Sequence, residues 1–329
     1  RMIESIKDSL DYYSASFGPY QHRQARIIEF PGYRNFAQSF ANTIPYSERV
    51  GFFSDLRDID DIDSVYFVTA HEMAHQWWGG QVMGADVQGN TMLSESLAHY
   101  SALRVTENRY GKIHARKILM FESDRYLRER TQELIAELPW MRVDNQAYIH
   151  YRKGVVAMNS IYQLLGESRM NEVLKAYLLE FKFQENPYAT SLDLQSLFNR
   201  SVTTPEQKFI NNLFEQITLY DLKLLSIDSS PTALGTFDIT LNIEAQLLKA
   251  DGEGQEIRLP LEEYVDLGLS MKHPDELLSE NDLFYLSRHK IVSGENRIVI
   301  NVLENPKFAL IDPYIRLIDK ELENNYLAC

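Results

Sequence analysis

The chain has 329 residues, 44% hydrophobic and 24% charged, with a formal net charge of −14; that length suits two or three domains, and that charge excludes nucleic acid and anionic membrane surfaces, which need clustered Lys and Arg. Its single cysteine, Cys329, excludes a disulfide framework and a thiolate metal site, so any metal must be held by His, Asp or Glu. No run of about 18 apolar residues offers a membrane span. The opening RMIESIKDSLDYYSAS is already an amphipathic helix with no starting Met or signal peptide, and reads as a soluble fragment of a longer chain.

In chain order, helical periodicity from Arg1 to about Ser16 is broken by FGPY, and QARIIEF predicts a strand ending at Pro31. The acidic stretch DLRDIDDIDS supplies an Asp or Ser N-cap and a negative first turn for a helix running through VYFVTAHEMAHQWW. A Gly-containing loop, GGQVMGADVQGN, leads to a second helix from Thr91 that closes at Gly111. Helical patterns continue over 113–137, YRKGVVAMNSIYQLLG, MNEVLKAYLLEFKF, SLDLQSLFNRS and TPEQKFINNLFEQI. Alternation at period two then takes over in FDITLNIEAQL and around EIRLPLEEY and RIVINVL, predicting antiparallel strands. The expected fold class is α+β, with a mostly helical domain over residues 1–225 and a small antiparallel β domain over 226–329.

The segment HEMAHQWWGG carries the chemistry. On a helix His71 and His75 lie about 40° apart in projection with Cβ atoms about 5–6 Å apart, so both imidazoles can reach one metal ion. Glu72 projects about 100° from His71, too far round for a ligand but near enough to a water on the metal to act as general base. A catalytic zinc keeps three protein ligands and lowers the pKa of its water to about 7. The second helix offers Glu95, in LSES, as the third ligand. One Zn²⁺ and a peptide substrate are therefore expected. His99 reads as a hydrogen-bonded neighbour of the site, and Trp77 and Trp78 as core residues, with a substrate pocket as their other reading.

Together with HYRKGVV, these segments resemble the aminopeptidase N family of zinc metallopeptidases, the gluzincins, over about residues 1–320. The resemblance implies a thermolysin-like catalytic domain followed by a β-sandwich, aminopeptidase-type hydrolysis, and Tyr151 of YRKG as hydrogen-bond donor to the oxyanion; Tyr148 and His150 are weaker candidates. The peptidase module of bacterial ABC-transporter permease fusions is the nearest likeness. It implies a larger membrane-protein chain that tethers the fragment, and an alternative role as a zinc-retaining, transport-coupled module without catalysis.

Two positions depart from the family pattern. Between His75 and Glu95 stand 19 residues rather than the family's 18. The extra residue is expected in GADVQGN, and Glu95 is kept because Ser94, at the family's spacing, is a poor zinc ligand. The family's G-x-M-E-N segment, whose glutamate binds the substrate's amino terminus, is matched by FAQSFANTIPYSE. There Gln38 and Asn42 can accept hydrogen bonds without supplying charge, and Glu48 is the first carboxylate, so these three are the candidate substrate-binding residues.

Overall fold

The computed structural model describes residues 1–58 and 61–329; Ile59 and Asp60 of the acidic stretch lie outside the described residues. Helix α1 (Met2–Ser16) is followed by two short parallel strands, β1 (Arg26–Phe30) and β2 (Thr43–Ser47), and a single turn, α2 (Glu48–Gly51). Asp63 caps α3 (Ser64–Ala74), accepting the Tyr66 N–H at 2.9 Å. The helix closes earlier than predicted, with His75 as its C-cap. Trp77 and Trp78 leave the helical path to become fully buried, donating their indole N–H groups to the Gly18 carbonyl and to Ser101.

Residues Met92–Ser96 form a π-turn that runs directly into α4 (Leu97–Tyr110), which Gly111 ends at φ 89°. Helix α5 (Lys112–Arg130) stops short of the predicted end at Glu137. The chain turns back so that the buried Glu137 carboxylate can accept from Tyr126, Arg130 and Lys153, which a straight helix would not allow. A second π-turn, Tyr148–Lys153, opens α6 (Gly154–Leu165). Helices α7 (Glu167–Phe181), α8 (Ser191–Ser201) and α9 (Thr204–Glu215) complete this region, the last two started by capping boxes, Thr190 with Asp193 and Thr203 with Glu206.

Strand β3 (Ile217–Pro231) begins two residues after α9, so residue 226 lies inside a strand. It is followed by β4 (Phe237–Ala250), β5 (Glu256–Leu259), β6 (Glu262–Ser270), β7 (Leu283–Val292), β8 (Gly294–Val302), β9 (Phe308–Ile311) and β10 (Tyr326–Ala328). They make two antiparallel four-stranded sheets, one ordered β10-β9-β6-β7 and one in which β4 pairs with β3, β5 and β8. A single apolar core continues from Tyr13, Trp77 and Ile161 in the helices to Leu222, Leu241 and Val265 in the sheets. Among the described residues, no helix is long and apolar enough to cross a membrane.

Candidate active site

Helix α3 and the first π-turn bring three donors together. His71 Nε2 lies 3.1 Å from His75 Nε2, and each nitrogen is 3.3 Å from Glu95 Oε2. A tetrahedral ion with bonds of about 2.0–2.1 Å has ligand atoms about 3.3 Å apart, so this donor set fits zinc. His75 Nδ1 lies 3.0 Å from the Trp78 carbonyl, which can only accept, so that nitrogen carries a proton and Nε2 is the one left for a metal. Burial drives His71 down to about 3; on His75 the burial penalty is outweighed by Glu95, and its value rises to about 9. Burial pushes Glu95 the other way, but its hydrogen bonds with both histidines hold it well below the carboxylate range. Metal-free, the triad therefore keeps one extra proton, on the His75 side, that a divalent cation would displace.

Glu72 is buried next to this triad without belonging to it. Burial raises its carboxyl to about 7, with His75 and the Ser39 N–H opposing and Glu95 assisting. From the second π-turn, the Tyr151 ring stands 5.7 Å from the His71 ring and 5.5 Å from the His99 ring, with its hydroxyl in the field of Glu95. Burial and Glu95 keep this phenol protonated far above neutrality. Of the weaker candidates, Tyr148 stacks on Tyr126 in the core, while the His150 ring packs edge-on against Tyr151 with centroids 4.4 Å apart and its backbone carbonyl accepts from Ser96 at 2.6 Å. His99 sits behind the triad with Nδ1 at 3.2 Å from His71 Nδ1.

A cavity of about 730 Å³ opens beside His75 and Glu95, and Gln38, Ser39, Gln76 and the buried Trp78 line it. Of the three substrate-binding candidates, only Gln38 reaches this cavity. The Asn42 side chain is engaged by Arg26 and Thr43, and Glu48 accepts the Gly32 N–H at 2.8 Å. Glu95 is the one carboxylate among the lining residues. Two lining residues escaped the sequence reading. Gln76 clamps the 38–42 loop to the metal helix, donating to Ser39 Oγ and the Phe40 carbonyl and accepting the Asn42 N–H. Ser39 sits against Glu72 through its backbone N–H. A lone serine in a loop gives no signal by residue type; Gln76, directly after a ligand histidine, gives only its position.

A family model described as the Peptidase family M1 domain matches residues 1–216. The chain belongs to this family. The M1 chain is 26% identical over 189 residues to "Probable aminopeptidase 1" of Sulfurisphaera tokodaii, covering 55% of this chain and 24% of that protein. With the protein of the same name from Saccharolobus solfataricus it shares 24% over 281 residues, covering 78% of this chain and 35% of the other. It thus spans between a quarter and about a third of these relatives' length. Among solved structures, aminopeptidase A of Legionella pneumophila in complex with aspartic acid aligns with a TM-score of 0.56 at 15% identity, covering 94% of this chain and 33% of that one. That likeness is one of fold, and it extends across the helical and sheet regions of the M1 chain.

Proposed function

We propose that the M1 chain is a zinc metallopeptidase of aminopeptidase type, with residues 1–225 as a thermolysin-like catalytic domain and 226–329 as a β-sandwich. The observation that carries this reading is the placement of Glu72 and Tyr151 around three ligand atoms 3.1–3.3 Å apart at the edge of an open cavity. His71, His75 and Glu95 would hold one zinc ion, which when bound polarises the peptide carbonyl and lowers the pKa of water to about 7. Glu72 takes the proton of the attacking water as its oxygen bonds to the carbonyl carbon, then returns it to the amide nitrogen as the C–N bond breaks. Tyr151 donates to the carbonyl oxygen as charge develops there.

Gln38 and Ser39, both neutral, are the acceptors nearest a substrate's amino terminus. With Glu48 turned to Gly32 and Glu95 committed to the ion, an α-ammonium would meet no free carboxylate among the lining residues, so the preference for a free terminus is the part of this reading that the experiment decides. The deciding experiment measures zinc content and hydrolysis of free and amino-blocked peptides for the parent and Glu72→Gln. Expected are equal zinc, loss of about 10²–10⁴-fold in rate for Glu72→Gln, and faster hydrolysis of free than of blocked peptides; equal cleavage of the two would sink the aminopeptidase type while sparing the peptidase. Equally low rates in both zinc-loaded proteins would refute catalysis and favour the transport-coupled alternative.

A further inference from the structure

Behind the ligands lies a buried polar chain that leads out of the site to α5. Glu122, 3% exposed, accepts from Arg152 Nη1 at 3.1 and 2.8 Å through its two oxygens, and lies 3.2 Å from His99 Nε2 through Oε1. The other His99 nitrogen, Nδ1, is 3.2 Å from His71 Nδ1. Phe67 packs edge-on against the His99 ring with centroids 4.8 Å apart, which fixes the ring plane. Arg152 directly follows Tyr151 on the second π-turn.

Hydrogen-bond direction settles the tautomers. The Glu122 carboxylate can only accept, so His99 must carry its proton on Nε2. With that proton on Nε2, the Nδ1 of His99 can accept. The short contact to His71 is a hydrogen bond only if His71 Nδ1 is the donor, which leaves His71 Nε2 with a free lone pair aimed at His75 and Glu95. The proton on His75 Nδ1 is fixed by a separate route, through the Trp78 carbonyl.

We propose that Glu122 is a positioning residue for both halves of the site: through His99 it holds His71 as the tautomer that can bind metal, and by accepting from Arg152 Nη1 at both its oxygens it holds the turn that carries Tyr151. This rests on His71, His75 and Glu95 being the zinc ligands. The two arms are separable because they leave the same carboxylate toward different elements, α4 and the π-turn.

The test uses the whole chain. Imidazole nitrogen NMR on the metal-free protein should show His99 protonated at Nε2 and His71 at Nδ1. Zinc affinity, from chelator competition, should fall about 10–100-fold in His99→Gln and in Glu122→Gln, as is typical when a partner behind a ligand is lost. The double variant should lose less than the product of the two. Arg152→Lys keeps the charge but shortens the side chain that reaches Glu122 through Nη1; it should bind zinc within about threefold of the parent while lowering kcat by about tenfold at little-changed KM. A proton on Nε2 of His71 in the parent would overturn the proposal, as would zinc affinity within about twofold of the parent in folded His99→Gln. Loss of zinc in Arg152→Lys as large as in Glu122→Gln would overturn the two-arm division. Should Glu122→Gln not fold, the parent tautomers and His99→Gln decide. Failure of the peptidase reading looks different: zinc is bound and the tautomers are as stated, yet no peptide is cleaved.

Discussion

Tyr151 would act through one atom. Replacing it with Phe removes the hydroxyl and keeps the ring that packs near His71 and His99. Tyr151→Phe should therefore keep zinc and KM close to the parent while kcat falls about 10²–10³-fold, as for loss of one oxyanion donor; a fall in zinc content instead would place the hydroxyl's role with Glu95. Among single residues, legibility in the sequence followed distance along the chain. His71, Glu72 and His75 are readable together because one helix sets their spacing. Glu95 required a guess about how two helices meet, and Tyr151 entered through a family resemblance alone. Glu122 and Ser39 act by tertiary contact across the fold, Glu122 from a helix that begins after the metal segments end, and nothing local marks either of them.

The two π-turns are the elements that aim the second half of the site. A π-turn takes one residue more than an α-turn and is common at functional sites. The wide turn Met92–Ser96 carries Glu95 into the site. The GADVQGN loop before it is held by Ala85 to Ala189 and by Gly89 to Val143. Periodicity reading could not find the turn, because one residue of extra width leaves the apolar pattern nearly unchanged. The two turns touch: Ser96 donates to the His150 carbonyl, and a Cβ on Gly154 would lie 2.8 Å from Ser96 Cβ and 2.3 Å from its Oγ. Gly154→Ala should thus cost about 1–3 kcal/mol by overpacking and lower kcat by separating Glu95 from Tyr151. Ser96→Gly should also destabilise, because the His150 carbonyl and the Trp140 indole N–H both lose their buried partner. Urea midpoints and kcat for the three proteins check this; a Gly154→Ala variant indistinguishable from the parent would show that the turns can move apart freely.

At the scale of the molecule, the sheets are fastened to the helices by residues 312–319. Side chains of α5 and α6 donate to successive carbonyls there: Arg116 to Pro313, Gln163 to Tyr314, Asn159 to Ile315 and Ser160 to Arg316. Strand alternation made the sheet region legible, but not this seam or the start of β3 at Ile217, since both depend on which chain lies alongside. Two buried aspartates brace the seam. Asp312 accepts the N–H groups of Arg316 and Leu317, and Asp319 those of Leu222 and Glu321. Burial raises Asp312 to about 6 and Asp319 to about 7, the charge of Asp312 adding to the rise of Asp319. Both folded values exceed the unfolded 3.8, so the folded state binds protons more tightly than the unfolded chain. The stability this gives is full below about pH 4 and is lost as pH rises through 6 to 7. Glu206, held down to about 2 by Arg169, and Asp282, held down to about 2 by Lys272, work in the opposite sense, but only as pH falls below about 4. Relative to Asp319→Asn, the parent's denaturation midpoint should therefore fall from pH 5 to pH 8, a comparison in which the opposing effect of His71 and His150, driven down by burial to about 3 and about 4, cancels. An unchanged slope in Asp319→Asn would mean that this carboxylate is ionised in the folded seam throughout the range, stabilised by its two backbone donors more strongly than burial opposes it.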